Sequence, residues 1–136
     1  AFMNRVAGSP YPFMDDVLET TSADYYFVDF HAESTSEKML FANVYSDSVD
    51  CVVGTHTHVQ TADERMIGDC AYITDVGMCG AIDSVIGRDI EELYNRVILG
   101  EKTHFKVAAG ESFLNAVLVD IDDNTMKTQS ITRVNR

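Results

Sequence analysis

The chain has 136 residues, of which 46% are hydrophobic and 24% are charged, so it has the composition of a globular protein with a core. We predict a single domain over residues 1–136. The formal net charge is −12, which would repel duplex nucleic acid, and no apolar run is long enough to cross a bilayer, so we expect neither as a partner.

The first half of the chain alternates between helix and strand signals. The predicted elements are a loop at 1–12, a helix at 12–20, a strand at 25–30, a helix at 34–45 and a strand at 49–53. Ser34 and Glu37 have the spacing of a capping box at the start of the second helix. A strand, a helix and a strand in this order predict a right-handed crossover between parallel strands.

The second half of the chain favours antiparallel pairs. The predicted elements are strands at 65–67 and 71–74, an irregular loop at 75–87, a helix at 89–97, and strands at 103–108, 112–121 and 126–134. Gly68 and Asp69 indicate a tight turn between the first two strands, and Gly100 is expected to stop the helix. Residues 122–125 predict the turn of a C-terminal hairpin. The whole pattern is typical of an α/β fold.

Three histidines stand just beyond two of the predicted strands. His31 follows the strand at 25–30, and His56 and His58 follow the next one. Side chains at strand ends are where α/β folds place their chemistry, and in an extended segment His56 and His58 would point the same way. Converging imidazoles can hold a divalent ion, whereas a single histidine is commonly a surface or core residue, as we expect for His104. The pattern predicts a metal site, and a metal site points to hydrolysis.

Acidic residues near the histidines leave the ligand set and the metal open. Asp29, Glu33, Asp63 and Asp75 could ligate an ion, orient an imidazole through a hydrogen bond, or lie in solvent. We expect the orienting or structural role more often than direct ligation. Imidazole suits Zn, Fe, Mn and Ni alike, so the histidines do not select the metal.

The cysteines indicate a reducing compartment. Cys51, Cys70 and Cys79 are an odd number without Cys-x-x-Cys spacing, which favours reduced thiols over a disulfide or a thiolate metal site. We therefore expect a cytoplasmic location. The sequence contains no Gly-x-Ser-x-Gly elbow, Walker loop or dinucleotide-binding fingerprint, so it offers little support for a side-chain nucleophile or a nucleotide cofactor.

Several segments resemble the YmdB-like metallophosphoesterases of the calcineurin-like superfamily. They are DFHAESTSEK at 29–38, VVGTHTHVQTAD at 52–63, YITDVGM at 72–78 and IGRD at 86–89, with a closing strand at 117–122. The likeness covers nearly all of the chain. It implies the C-terminal half of a four-layer α-β-β-α sandwich, with a mixed sheet and a C-terminal antiparallel hairpin.

The resemblance also implies a chemistry. The family's site holds two divalent metal ions, Fe, Mn or Zn, and its members act as phosphodiesterases with 2′,3′-cyclic nucleotides among the substrates. The expected partner is therefore a small phosphodiester. By motif, His31, His56 and His58 resemble three of the metal ligands. In the implied mechanism a metal-bridging hydroxide attacks phosphorus in line while the ions neutralise charge on the phosphoryl oxygens. No residue is matched to a catalytic acid or base.

The family's N-terminal half, which supplies Asp, Glu and Asn ligands and a further histidine, has no counterpart in these residues. We expect the chain to be a fragment that supplies the three-histidine half of a dimetal site and is nearly inactive alone. One rival hypothesis is a non-catalytic metal-binding or oligomerisation module, and another is a scaffold that binds cyclic nucleotides without cleaving them. An apolar sheet face left exposed would favour a homo-oligomer.

Overall fold

The computed structural model describes residues 8–136, so most of the loop predicted at 1–12 lies outside the described residues. The elements are α1 (Pro10–Thr20), β1 (Phe27–His31), α2 (Thr35–Tyr45), β2 (Cys51–Thr55), β3 (Arg65–Ile67), β4 (Cys70–Ile73), β5 (Cys79–Ala81), α3 (Ile90–Val97), β6 (Ser112–Asp122) and β7 (Lys127–Asn135). None of the helices among the described residues has the length and apolarity that a membrane crossing requires.

The predicted strand–helix–strand unit is confirmed. Ser34 caps α2 by accepting a hydrogen bond from the Glu37 backbone N–H at 3.4 Å, which satisfies one of the free donors of the first turn. β1 and β2 pair in parallel, in a register that runs from Phe27 opposite Cys51 to His31 opposite Thr55. This register brings the carboxyl ends of the two strands to one edge of the sheet.

The first sheet is mixed, as expected. Its strand order is β1-β2-β4-β3, in which β4 pairs parallel to β2 and antiparallel to β3. The predicted hairpin between β3 and β4 turns at Gly68, whose φ of +60° a glycine adopts without a steric penalty.

The second sheet is antiparallel, with the order β5-β6-β7. The predicted C-terminal hairpin is confirmed as β6 and β7, with an irregularity in the pairing between Asp120 and Ile121. The segment 75–87 was expected to be irregular throughout, but within it Cys79–Ala81 forms a short strand that pairs with β6. The α/β fold with a mixed sheet and a C-terminal hairpin is therefore the observed one.

The core lies on both faces of the mixed sheet. On one face α1 and α2 cover the sheet, and on the other the second sheet covers it. The side chains of alternate residues of β2 point to opposite faces of the sheet. Val52 packs in the cluster with the helices, and Cys51 and Val53 pack in the cluster with Val117 of β6. The described layers are helices, mixed sheet and antiparallel sheet, and His31 and His56 lie where β1 and β2 of the mixed sheet end.

The strand predicted at 103–108 is wrong. Only Val107 forms an isolated bridge, to Arg88. Phe105 and Val107 alternate as strand residues do, but their side chains are 68% and 69% exposed because no neighbouring strand buries them.

The three cysteines are free thiols, as expected, and burial raises the pKa of Cys51 to about 12 and that of Cys70 to about 11.

Candidate functional site

The candidate site lies at the carboxyl ends of β1 and β2. His31 is the last residue of β1, and His56 is the first residue after β2. Because the two strands are parallel neighbours, their ends bring residues 25 positions apart in the chain side by side. This is the edge at which open α/β sheets bind ligands.

The imidazoles of His31 and His56 face each other. Nε2 of His31 lies 3.2 Å from Nδ1 of His56, and the rings meet edge to face with their centroids 5.0 Å apart. Both side chains are exposed, so the pair is open to solvent. The fold therefore brings these two predicted ligands together.

A hydrogen-bond chain assigns the tautomer of His31. The Thr55 hydroxyl donates to Oδ1 of Asp29 at 2.8 Å. The oxygen of this hydroxyl, Oγ1 of Thr55, also lies 3.0 Å from Nδ1 of His31. Because the hydroxyl proton points at the carboxylate, Thr55 can only accept from His31, and the proton of the imidazole is therefore on Nδ1. The lone pair of Nε2 therefore accepts from Nδ1 of His56, which lies 3.2 Å away and carries a proton.

His58 is oriented by a backbone carbonyl. Its Nδ1 lies 3.1 Å from the oxygen of Ile86, which has a φ of +48° in a tight turn with Gly87. A carbonyl can only accept, so Nδ1 of His58 carries the proton and Nε2 has the free lone pair. A histidine oriented in this way presents Nε2 as a metal ligand.

The loop that carries His56 and His58 is not extended. The φ angles are +117° at His56 and +66° at His58, both in the left-handed region that residues with a side chain rarely adopt. The expectation that the two imidazoles share one face of an extended segment is therefore wrong. His56 reaches His31 instead, and His58 reaches the turn at Ile86.

The neighbouring carboxylates are engaged in hydrogen bonds. Asp63 accepts from the hydroxyls of Thr61, at 2.6 Å, and Thr74. Burial disfavours the charge on Asp63, but these bonds outweigh it and hold the pKa below its usual range. Asp75 is buried and accepts from Lys38 and from the Thr57 backbone.

The imidazole pair fits a divalent ion in its donor chemistry and spacing. Two nitrogens bound tetrahedrally to zinc at about 2.0–2.1 Å stand about 3.3 Å apart, close to the observed 3.2 Å between His31 and His56. Within residues 8–136, however, no three His, Cys, Asp or Glu side chains surround a common point. The assignment of His31, His56 and His58 as ligands of one site therefore stays a prediction.

Sequence reasoning missed the residues that orient the histidines. Thr55 stands beside His56 in the recognised motif, and its position opposite His31 follows from the parallel register once β1 and β2 are paired. Lys38 carries no such signal, because a lysine in the first turns of an amphipathic helix is usually exposed. Asp75 was expected near the site, but its contact with the Thr57 amide depends on the tertiary structure.

The imidazoles at the ends of the parallel strands make that edge of the mixed α/β sheet the candidate site. The model of the YmdB-like protein family matches residues 1–134. The chain belongs to this YmdB-like family.

Relatives match most of this chain. A 2′,3′-cyclic-nucleotide 2′-phosphodiesterase of Bacillus subtilis (strain 168) is 47% identical over 111 residues, which cover 81% of this chain and 42% of the relative. A crystal structure of a protein from Thermus thermophilus has 34% identity and a TM-score of 0.89, covering 99% of this chain and 53% of that one. The crystal structure of a novel phosphatase from Mycoplasma pneumoniae has 35% identity and a TM-score of 0.86, covering 100% and 50%. The chain spans about half the length of these relatives.

Proposed function

We propose that this chain provides the histidine side of a metal-dependent phosphodiesterase that hydrolyses 2′,3′-cyclic nucleotides. The observation that carries the proposal is the facing pair of His31 and His56, 3.2 Å apart at the ends of two parallel strands. Membership of the YmdB-like family and similarity to a 2′,3′-cyclic-nucleotide 2′-phosphodiesterase support the substrate class.

The proposed ligands are His31 and His58 through Nε2, which carries no proton, and His56 through Nδ1, whose proton an ion bound beside His31 would displace. A bound divalent ion, Fe, Mn or Zn, would supply positive charge to the phosphoryl oxygens of the substrate. Thr55 keeps the proton of His31 on Nδ1, and the Ile86 carbonyl does the same for His58. These contacts fix which nitrogen each ring offers before any ion binds.

The proposed complete site holds two ions, with carboxylate and amide ligands from residues beyond those of this chain. Asp63 and Asp75 already accept hydrogen bonds from several donors, and the chain spans about half the length of its relatives. We therefore expect the 136-residue chain to show little or no turnover alone. Rapid metal-dependent hydrolysis by this chain would contradict that expectation.

The test of the proposed function is hydrolysis of 2′,3′-cyclic AMP with Mn²⁺ by a protein of the relatives' length that contains this chain. We expect His56→Ala to lower turnover by roughly a hundredfold or more, since it removes a direct ligand. His104→Ala is the matched control, because His104 is exposed and lies in the segment between α3 and β6. Unchanged turnover in His56→Ala would refute the proposal.

An apolar surface favours a second candidate, an oligomerisation module. Leu114 and Leu118 of β6 are 43% and 64% exposed, although they lie in the sheet that packs on the core with its other face. A second copy of the chain could cover this surface and form a homo-oligomer. Sedimentation of a monomer at high protein concentration would contradict this candidate.

A further inference from the structure

An ion pair is buried next to residues 56–58, the segment that carries His56 and His58 and that we call the histidine loop. Nζ of Lys38 in α2 lies 3.0 Å from Oδ2 of Asp75, just beyond β4, and both side chains are fully buried. Removing two charges from water opposes folding, and a well-packed apolar pair is often as stable, so stability alone is weak grounds for such a pair. A role in fixing a unique local structure is the better explanation to test.

The carboxylate of Asp75 contacts the middle of the histidine loop. Oδ2 accepts the backbone N–H of Thr57 at 2.8 Å, and Oδ1 accepts that of Gly77 at 3.0 Å. Burial disfavours ionisation of Asp75, but these amides and Lys38 outweigh it and hold its pKa below the usual range. The charged carboxylate therefore accepts hydrogen bonds from three donors, and one of them is the backbone N–H of Thr57, the residue between His56 and His58.

The bond to Thr57 lies between two unfavourable backbone conformations. His56 has a φ of +117° and His58 a φ of +66°. Conformations of this kind persist only where the surrounding structure enforces them. The Thr57 amide is one of the two peptide N–H groups between the α-carbons of His56 and His58, so an acceptor fixed at this point constrains the backbone that carries both side chains.

Lys38 reaches Asp75 because Gly54 leaves room for it. A Cβ atom on Gly54 would stand 2.8 Å from Cδ of Lys38 and 1.7 Å from the Thr74 carbonyl oxygen. Gly54 therefore allows the aliphatic part of Lys38 to pass over β2. Lys38 of α2 thus passes Gly54 of β2 to reach the carboxylate of Asp75, which lies just beyond β4.

We propose that Asp75 is a positioning residue, held by Lys38, which sets the directions of His56 and His58 through the Thr57 backbone. The effect of Asp75 on metal affinity rests on the proposed function. The effect of Asp75 on the backbone at residues 56–58 rests only on the hydrogen bonds and φ angles described above. A merely structural role for the pair would change global stability without a separate effect at Thr57.

The experiment compares two double variants of the 136-residue chain, since either single substitution leaves one buried charge alone and threatens folding. Lys38→Met/Asp75→Leu has an apolar pair with no acceptor for Thr57. Lys38→Met/Asp75→Asn is the matched variant and keeps one amide oxygen. Amide hydrogen exchange is measured residue by residue by NMR, and Mn²⁺ affinity is measured by calorimetry.

We expect the leucine variant to remain folded, with the Tyr72 amide of β4 still protected. Exchange at Thr57 should be faster by roughly tenfold or more, and Mn²⁺ affinity should fall by roughly tenfold or more. The asparagine variant should recover part of both. Thr57 exchange in the leucine variant within about twofold of wild type would overturn the proposal.

Wild-type data decide the matter if neither variant folds. A Thr57 amide that exchanges as fast as an unstructured peptide would overturn the proposal, and exchange slowed by roughly tenfold or more would support it. If the wild type binds no Mn²⁺, its histidines need the ligands from beyond this chain, and the turnover test on a protein of the relatives' length decides the proposed function. The exchange comparison at Thr57 would still decide the positioning role.

Discussion

Replacing Thr55 by valine removes one hydroxyl and little else, which makes it a sharp test of how the site is oriented. The hydroxyl joins Nδ1 of His31, at 3.0 Å, to Oδ1 of Asp29, at 2.8 Å. Valine has nearly the same shape but can neither accept from the imidazole nor donate to the carboxylate. His31 then loses the contact that keeps its proton on Nδ1.

The expected loss of Mn²⁺ or Zn²⁺ affinity is about tenfold to a hundredfold, the usual effect of removing a hydrogen bond to a ligating histidine. That range corresponds to about 1.4–2.7 kcal/mol, comparable to one hydrogen bond to a charged group, about 1.5–3 kcal/mol. Since His31 and Asp29 are exposed, water replaces their lost partners, and the free energy of unfolding should change by less than about 1 kcal/mol.

The assay is calorimetric titration of the ion into wild type, Thr55→Val and Thr55→Ser at one pH. Serine keeps the hydroxyl and should retain most of the affinity. The ¹⁵N shifts of the His31 ring give a second readout without metal, with Nδ1 protonated in the wild type and both tautomers present in Thr55→Val. Equal affinities in all three proteins would refute the reasoning, as would a His31 ring that keeps its tautomer in the valine variant.

Two further predictions concern stability. In Gly54→Ala the added Cβ would stand 1.7 Å from the Thr74 carbonyl oxygen, so β2 and β4 must separate, and we expect a loss of about 3 kcal/mol or more in denaturant unfolding; a midpoint near wild type would contradict this. Glu92, bound to Arg88 Nε at 2.6 Å, has its pKa lowered from 4.5 to about 2 by this contact first of all. Its stabilisation should be complete above the unfolded-state pKa and disappear as the pH falls from about 4.5 towards 2. The stability gap between wild type and Glu92→Gln should close over that pH range, and a constant gap would show that the ionised carboxylate is not responsible.

Local patterns predicted the elements that depend on neighbours in the chain. The helix that begins after Ser34 needs only a cap and an amphipathic run, and the hairpin at Gly68 needs only a turn between two apolar segments. β5 had no such signal, because its three residues form a strand only by pairing with β6. The segment 103–108 had a strand pattern without a partner, so tertiary structure overrode the pattern.

The candidate site was predictable to the same extent. The motif placed His31, His56 and His58 at strand ends, and the parallel register brings the first two together. The backbone at His56 and His58 was not predictable, because it depends on a carboxylate from the other side of β2. That carboxylate, Asp75, captures the Thr57 amide, and no periodicity in the sequence encodes such a contact.

The acidic residues around the histidines are better suited to orient ligands than to be ligands. Asp75 accepts a hydrogen bond from the buried ammonium group of Lys38. A metal ion could bind Asp75 only if this ammonium group moved away or stayed buried without a partner. Asp63 accepts from two hydroxyls, and Asp29 accepts from Thr55. Through that hydroxyl Asp29 favours the proton on Nδ1 of His31 and leaves Nε2 without one. The negative charge at this edge would therefore act on a bound ion through the imidazoles, and we expect the carboxylate ligands of a second ion to come from other residues.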